Sequence, residues 1–196
     1  MKIYLSILLA AMLTNNFVLS KFLGICAFLG VSKKTDTALG MSLAVMFVTL
    51  MATAVTWPIY QYILVKNNIE YLETLVFILV IAALVQLVEI ALKKYIPGLY
   101  RSFGIYLPLI TTNCVILGVV VLNISEAYTF GQSMMNSLGG SLGYMIAMIM
   151  FSGVRGRLEG NDIPKSLRGL PSTLIAASIV ACSFLGFSGV VDGIFA

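Results

Sequence analysis

The chain has 196 residues, 60% of them hydrophobic and 10% charged, whereas about 25% of residues are charged in a soluble domain, so a water-soluble fold is excluded. Histidine is absent, which removes His-based acid–base catalysis, Ser-His nucleophile pairs and His metal sites. The net charge of +4, from 12 basic and 8 acidic residues, reports orientation in a bilayer rather than affinity for nucleic acid, and no nucleic-acid partner is expected.

Six apolar stretches follow one another: Ile3 to Val31, Leu39 to Val65, Leu72 to Leu92, Tyr100 to Leu122, Phe130 to Val154 and Leu170 to Val191. Lipid offers no water to satisfy backbone groups, so each is read as a helix. The expected fold is an all-α membrane protein, a single integral membrane domain over 1–196 in contact with membrane lipid. Lys2 ahead of Ile3 to Leu13 resembles a signal peptide, but Thr14, Asn15 and Asn16 stand where a small-residue cleavage site belongs, so the segment is expected to be retained.

The first stretch is too long for one span. Its 29 residues would extend about 43 Å as a straight helix against a hydrocarbon core of ~30 Å. Thr14-Asn15-Asn16 is the natural place for a break, because amide and hydroxyl side chains satisfy the freed backbone groups. The competing reading of these residues is hydrogen bonding between packed helices. Beyond them lie Lys21, an intramembrane cation able to snorkel, and Cys26, with Gly24 and Gly30 leaving little bulk beside the thiol.

In the third stretch, Glu89 is an ionisable group among apolar residues, with Gln86 expected on the same face. It fits either an ion pair with Lys93 at i,i+4 or an ion path. The fourth stretch carries Pro108 just ahead of Thr111-Thr112-Asn113-Cys114, so a second kink or unwound turn is expected there. After the fifth stretch, the polar run from Arg155 to Gly169 serves as a basic anchor or as a docking surface.

Thr14 to Leu19 matches Thr111 to Ile116 at an offset of 97 residues, almost half the chain. With three spans per half, the halves run in opposite senses: two inverted three-helix repeats, about 1–97 and 98–196, with helices 1 and 4 interrupted. Lys33, Lys34, Lys93, Lys94, Arg101, Arg155, Arg157, Lys165 and Arg168 fall on one side and only Lys2 and Lys66 on the other. That bias puts those loops in the cytoplasm and both termini outside.

A buried cysteine is ordinarily a small hydrophobe, and Cys182, in the run Ile179 to Leu185, is read so. Cys26 and Cys114 each neighbour an expected break, where backbone N–H groups could stabilise a thiolate or cluster. Two thiolates do not complete a four-cysteine site, so an iron–sulfur centre here would need two ligands from another chain. No Walker loop, dinucleotide fingerprint or GxSxG elbow is present.

Asn15-Asn16-Phe17-Val18-Leu19, Lys21-Phe22-Leu23-Gly24-Ile25-Cys26, Gly30-Val31-Ser32-Lys33-Lys34, Gly104 to Cys114 and Phe187-Ser188-Gly189 together resemble the RnfA/NqrE-type family of membrane subunits over essentially the whole chain. The Asn15-Asn16 and Thr111-Thr112 pairs are more similar to its Rnf branch than to the sodium-pumping quinone-reducing branch. The resemblance implies that Cys26 and Cys114 hold half of a 2Fe-2S cluster shared with the homologous subunit RnfE, of opposite topology. Asn15, Asn16, Gly24, Thr111, Thr112 and Asn113 would surround it, and Glu89 would be a candidate for an ion path. It further implies a bacterial inner-membrane translocase, a ferredoxin:NAD oxidoreductase coupled to Na+ or H+ transport, with RnfB, RnfC, RnfD and RnfG as other subunits. Electrons would pass from ferredoxin through RnfB, across the membrane by the shared cluster, toward the flavin of RnfG. Two rival readings stay open: a small secondary transporter binding solute through Thr14, Asn16, Thr111 and Asn113, and a purely structural membrane subunit.

Overall fold

A computed structural model describes residues 2–32, 35–67, 69–95, 110, 112–158, 164 and 169–186. These residues are mostly helical, with no strand among them. Helix α1 (Lys2–Leu9) widens into a π-helical turn over Ala10–Thr14 and stops. An irregular segment leads to α2 (Ile25–Val31). Then come α3 (Thr35–Asn67), α4 (Glu73–Tyr95), α5 (Cys114–Ser125), α6 (Phe130–Leu158) and α7 (Leu170–Leu185).

The expected break in the first stretch is present. The eight residues of α1 and five of its π turn rise only about 20 Å, short of a ~30 Å core. Helix α5, at 12 residues, is likewise a half-length element of about 18 Å. The N-terminal part of the fourth stretch, with Pro108, lies outside the described residues, as does the end of the sixth beyond Gly186. Among the described residues, three helices are long and apolar enough to cross a membrane, namely α3, α4 through Ile90, and α6.

Two boundaries differ from the sequence expectation. Helix α6 runs on to Leu158, so Arg155 and Arg157 belong to its last turn rather than to a loop. There Arg155 Nη1 donates to Leu29 O and to Ser32 Oγ (3.0 Å), satisfying a carbonyl in the final turn of α2. Within α3, a second π-helical turn, Tyr60–Leu64, follows directly after Pro58. Proline has no N–H to continue the ladder and the helix widens beside it.

The core lies where α3, α5 and α6 meet. Met41, Val45 and Ala52 of α3, Val115, Ile116 and Val119 of α5, and Tyr144, Ala147, Met148 and Phe151 of α6 are buried there. Lipid supplies no hydrophobic force between helices, so close packing and hydrogen bonds must hold them. Both are present. Thr53 and Ser137 hydroxyls lie 2.7 Å apart, Asn136 Nδ2 donates to Asn123 Oδ1 (2.7 Å), and Asn123 Nδ2 donates to Ser137 Oγ (3.2 Å). Gly139, Gly140 and Gly143 let α1 and the irregular segment reach the backbone of α6: a Cβ on Gly139 would stand 2.6 Å from Leu8 O, and one on Gly143 2.9 Å from Met12 O.

The outer faces of α4 and α7 carry Leu75, Leu79, Leu87, Ile90, Ile175 and Ile179 exposed, as a lipid-facing surface requires. Along α4 the buried stripe Phe77, Ile81, Val85 continues at the same four-residue spacing to half-buried Glu89. Gln86, one turn before Glu89 on the same continuous helix, is exposed where Glu89 is half-buried.

Because the atom opposite Gly139 is backbone and cannot rotate away, Gly139→Val is expected to lower stability by about 1–3 kcal/mol or more. Thermal unfolding in detergent should show this, with Gly153→Val, where nothing lies within 4 Å, as the benign control.

Candidate functional site

The two polar interruptions are organised by asparagines. Asn16, 1% exposed, sits just past the end of the π turn. Its Oδ1 accepts from the N–H groups of Val18 (3.0 Å) and Leu19 (3.3 Å), and its Nδ2 donates to Gly143 O (2.9 Å) and to Met12 O (3.4 Å). Asn113 is the N-cap of α5, with Oδ1 accepting from Val115 N (3.1 Å). The pairs Asn16–Val18 and Asn113–Val115 are the same side-chain turn, at the positions that the 97-residue match aligns. Such a turn replaces the helical partner that a terminal N–H lacks.

The breaks meet at one turn of α6. Asn16 bonds to the carbonyl of Gly143, and the ring of the next residue, Tyr144, lies against Gly24. Gly24 has φ +78° and precedes α2. A Cβ there would stand 2.5 Å from Val115 Cγ2, 3.1 Å from Asn113 Oδ1 and 3.5 Å from Tyr144 Cε2. Glycine is required twice over, by its left-handed backbone and by the close approach of α5.

Cys26 is the second residue of α2 and Cys114 the first of α5, so each thiol stands at a helix start beside the Gly24–Asn113 contact. Both are free and exposed on the chain's surface. Gly30, one turn beyond Cys26, is also exposed, with nothing within 4 Å of where its Cβ would be. A partner can therefore approach Cys26 closely. Among the described residues no three Cys, Asp or Glu side chains gather to hold a metal ion.

The register that relates the two cysteines is not the 97-residue one. Cys26-Ala27-Phe28-Leu29-Gly30-Val31 matches Cys114-Val115-Ile116-Leu117-Gly118-Val119 at an offset of 88 residues, sharing Cys, Leu, Gly and Val. This signal was open to inspection of the sequence, and both copies start a helix. Sequence reasoning also passed over Tyr144 and Gly143, which only the packing of α6 brings to the breaks.

The other candidates are dispersed. Asn15 is exposed and, with Thr14, Asn16 and Ser20, lines a cavity of about 170 Å³ against Phe184 and Leu185 of α7. Thr112 is exposed, while Thr111 lies outside the described residues. Glu89 sits on α4, and Cys182 is free and exposed on α7. Of the sequence candidates, Cys26, Gly24, Asn113 and Cys114 form one locality, and Asn16 supports it from the other side of the Gly143–Tyr144 turn.

This is a helical membrane protein with half-length helices beside asparagine-organised breaks and, next to those breaks, two of its three exposed thiols. A family profile described as "Rnf-Nqr subunit, membrane protein" matches residues 4–191. The chain belongs to that Rnf-Nqr family. It is 50% identical to the A-type subunit of the ion-translocating oxidoreductase complex of Syntrophotalea carbinolica, across 98% of this chain and 100% of the relative. It is 51% identical to the A-type subunit of the Na(+)-translocating ferredoxin:NAD(+) oxidoreductase complex of Acetobacterium woodii, across 95% and 97%. The corresponding subunit of an ion-translocating oxidoreductase complex from Edwardsiella ictaluri is 48% identical across 96% and 97%.

Gly24→Ala should cost about 1–2 kcal/mol from the left-handed backbone alone and more from the contact with Val115. The expected result is a lower melting temperature of the purified protein and a changed environment at Cys26, read as an altered rate of thiol alkylation. Asn16→Ala, which strands the N–H groups of Val18 and Leu19, should cost about 1–3 kcal/mol in the same melting experiment.

Proposed function

We propose that this chain is the A-type membrane component of an ion-translocating ferredoxin:NAD+ oxidoreductase complex. In this reading it crosses the bacterial inner membrane six times as two inverted three-helix repeats, both termini outside. Cys26 and Cys114 supply two of the four thiolates of a 2Fe-2S cluster, and the homologous subunit RnfE supplies the other two. The observation that carries the proposal is the common placement of the two thiols: each is exposed at the start of a helix, on either side of the Gly24–Asn113 contact.

The residues fit that group in kind and number. Thiolate sulfur is the ligand such clusters take, and half a ligand set on an exposed face is what a centre shared between two chains requires. Cys114 opens α5, where the free N–H groups of a helix N-terminus favour an anionic sulfur. Gly24 and Gly30 keep the surroundings of Cys26 free of side-chain bulk. When bound, the cluster supplies a one-electron carrier within the bilayer. The chain's own task is to hold the two sulfurs in place and to close water out behind them with Val115, Tyr144 and Phe28, all buried.

Support for the larger role comes from the relatives, two of them named as subunits of oxidoreductases that move ions, and one specifically Na+ with ferredoxin and NAD+ as redox partners. RnfB, RnfC, RnfD and RnfG are the further subunits this reading implies, and electrons from ferredoxin would cross the membrane at the shared site. Na+ or H+ transport is coupled to that flow, with Glu89, at the end of the buried stripe of α4, as a candidate for an ion path. A secondary-transporter role draws less support, because the carboxamide of Asn16 is already committed to four hydrogen bonds within the fold.

The test is electron paramagnetic resonance of the purified complex reduced with ferredoxin. Cys26→Ser and Cys114→Ser, at matched subunit content, should each lose one 2Fe-2S signal and ferredoxin-driven NAD reduction, whereas Cys182→Ser should retain both. A full set of iron–sulfur signals in the Cys26 and Cys114 variants would return the cysteines to packing residues.

A further inference from the structure

Two buried polar atoms beside the cysteine locality have no partner within the chain, Nδ2 of Asn113 and the hydroxyl of Tyr144. Asn113 is 3% exposed and Tyr144 0%. The hydrogen bond from Val115 N to Asn113 Oδ1 (3.1 Å) fixes which end of the carboxamide is which, so the orphan atom is a donor. The side chains of Asn113 and Tyr144 are neighbours at Gly24, with Asn113 Oδ1 3.1 Å and Tyr144 Cε2 3.5 Å from where its Cβ would stand, yet neither orphan atom meets hydrogen-bonding geometry with any partner among the described residues. Both border the space that Gly24 leaves by lacking a Cβ.

In the interior of a membrane protein an unsatisfied donor is costly, and each one calls for an explanation. The neighbouring Asn16, built into the same kind of turn, has every polar atom committed. The difference is that Asn113 and Tyr144 meet at Gly24, two residues before Cys26, and that Asn113 immediately precedes Cys114. Anionic sulfur is an acceptor that fits two such donors.

We infer that Asn113 Nδ2 and the Tyr144 hydroxyl are hydrogen-bond donors to the anionic sulfur of the Cys26/Cys114 site and set the reduction potential of the centre held there. This rests on the reading of Cys26 and Cys114 as cluster thiolates. On one-electron reduction the added negative charge spreads onto sulfur, so a donor to sulfur stabilises the reduced form more than the oxidised form. No bond to carbon is made or broken; in the proposed route the electron comes from reduced ferredoxin and leaves toward NAD+. Removing either donor therefore shifts the equilibrium toward the oxidised form.

Tyr144→Phe keeps the ring that packs on Gly24 and removes only the hydroxyl. Asn113→Ser keeps a competent N-cap for α5 and removes the amide donor. In the purified complex, a potentiometric titration of the 2Fe-2S signal that Cys26→Ser abolishes should show, for each variant, a fall of about tenfold in the reduced-to-oxidised ratio at fixed potential. That is about 59 mV toward negative values for one electron. Pulsed resonance after exchange into D2O should show exchangeable deuterons coupled to that signal in the wild type, with the hydroxyl coupling lost in Tyr144→Phe and the amide coupling lost in Asn113→Ser. A retained signal with unchanged midpoint and unchanged deuteron coupling in both variants would overturn the inference and leave the cluster assignment standing. If no signal responds to Cys26→Ser at all, the cluster assignment falls and the inference with it. Should Tyr144→Phe impair assembly, Asn113→Ser carries the same two readouts.

Discussion

A helix that stops inside a bilayer must find new partners for its last carbonyls and first N–H groups without water, and the architecture around Cys26 and Cys114 depends on how that is done. Asn16 and Asn113 each place a side-chain oxygen on the N–H two residues ahead, so the chain can leave and re-enter helix at low cost. Asn16 goes further and ties the loose segment to the backbone of α6 at Gly143. Without those carboxamides the N–H groups of Val18, Leu19 and Val115 would be left unpaired beside the turns that bring α2 against α5.

Close approach is the second requirement, and glycine supplies it on both sides. Gly139, Gly140 and Gly143 admit α1 and Phe17 to the surface of α6, while Gly24 admits Val115 and Asn113 to the turn before α2. In lipid, where apolar surface gains little by burial against another helix, this intimacy is where packing energy arises. The buried Thr53–Ser137 and Asn123–Asn136 contacts fasten α3, α5 and α6 in the same way, by hydrogen bonds with no competing water. The result is a rigid backing for a thiol pair that is itself left open at the surface.

The exposure of Cys26 and Cys114 and the isolation of Asn113 Nδ2 and the Tyr144 hydroxyl point the same way. The proposed reading, a centre completed by another chain, accounts for both, in a family whose relatives bear the names of subunits of larger redox assemblies.

By itself the sequence determined the solvent, the helical class and the break in the first stretch, because hydropathy, an over-long apolar run and the Thr14-Asn15-Asn16 cluster act locally. It also showed that Cys26 and Cys114 neighbour the breaks while Cys182 lies in an uninterrupted apolar run. What only the tertiary structure decided are contacts between residues remote in the chain: Asn16 with Gly143, Gly24 with Val115 and Asn113, Arg155 with the end of α2, and Tyr144 at the junction. The outward turn of Gln86 and the inward stripe ending at Glu89 were likewise settled by which face of α4 its neighbours cover. Periodicity says which residues share a face, but only packing says which face is inside, and a hydrogen bond across 127 positions leaves no trace in local composition.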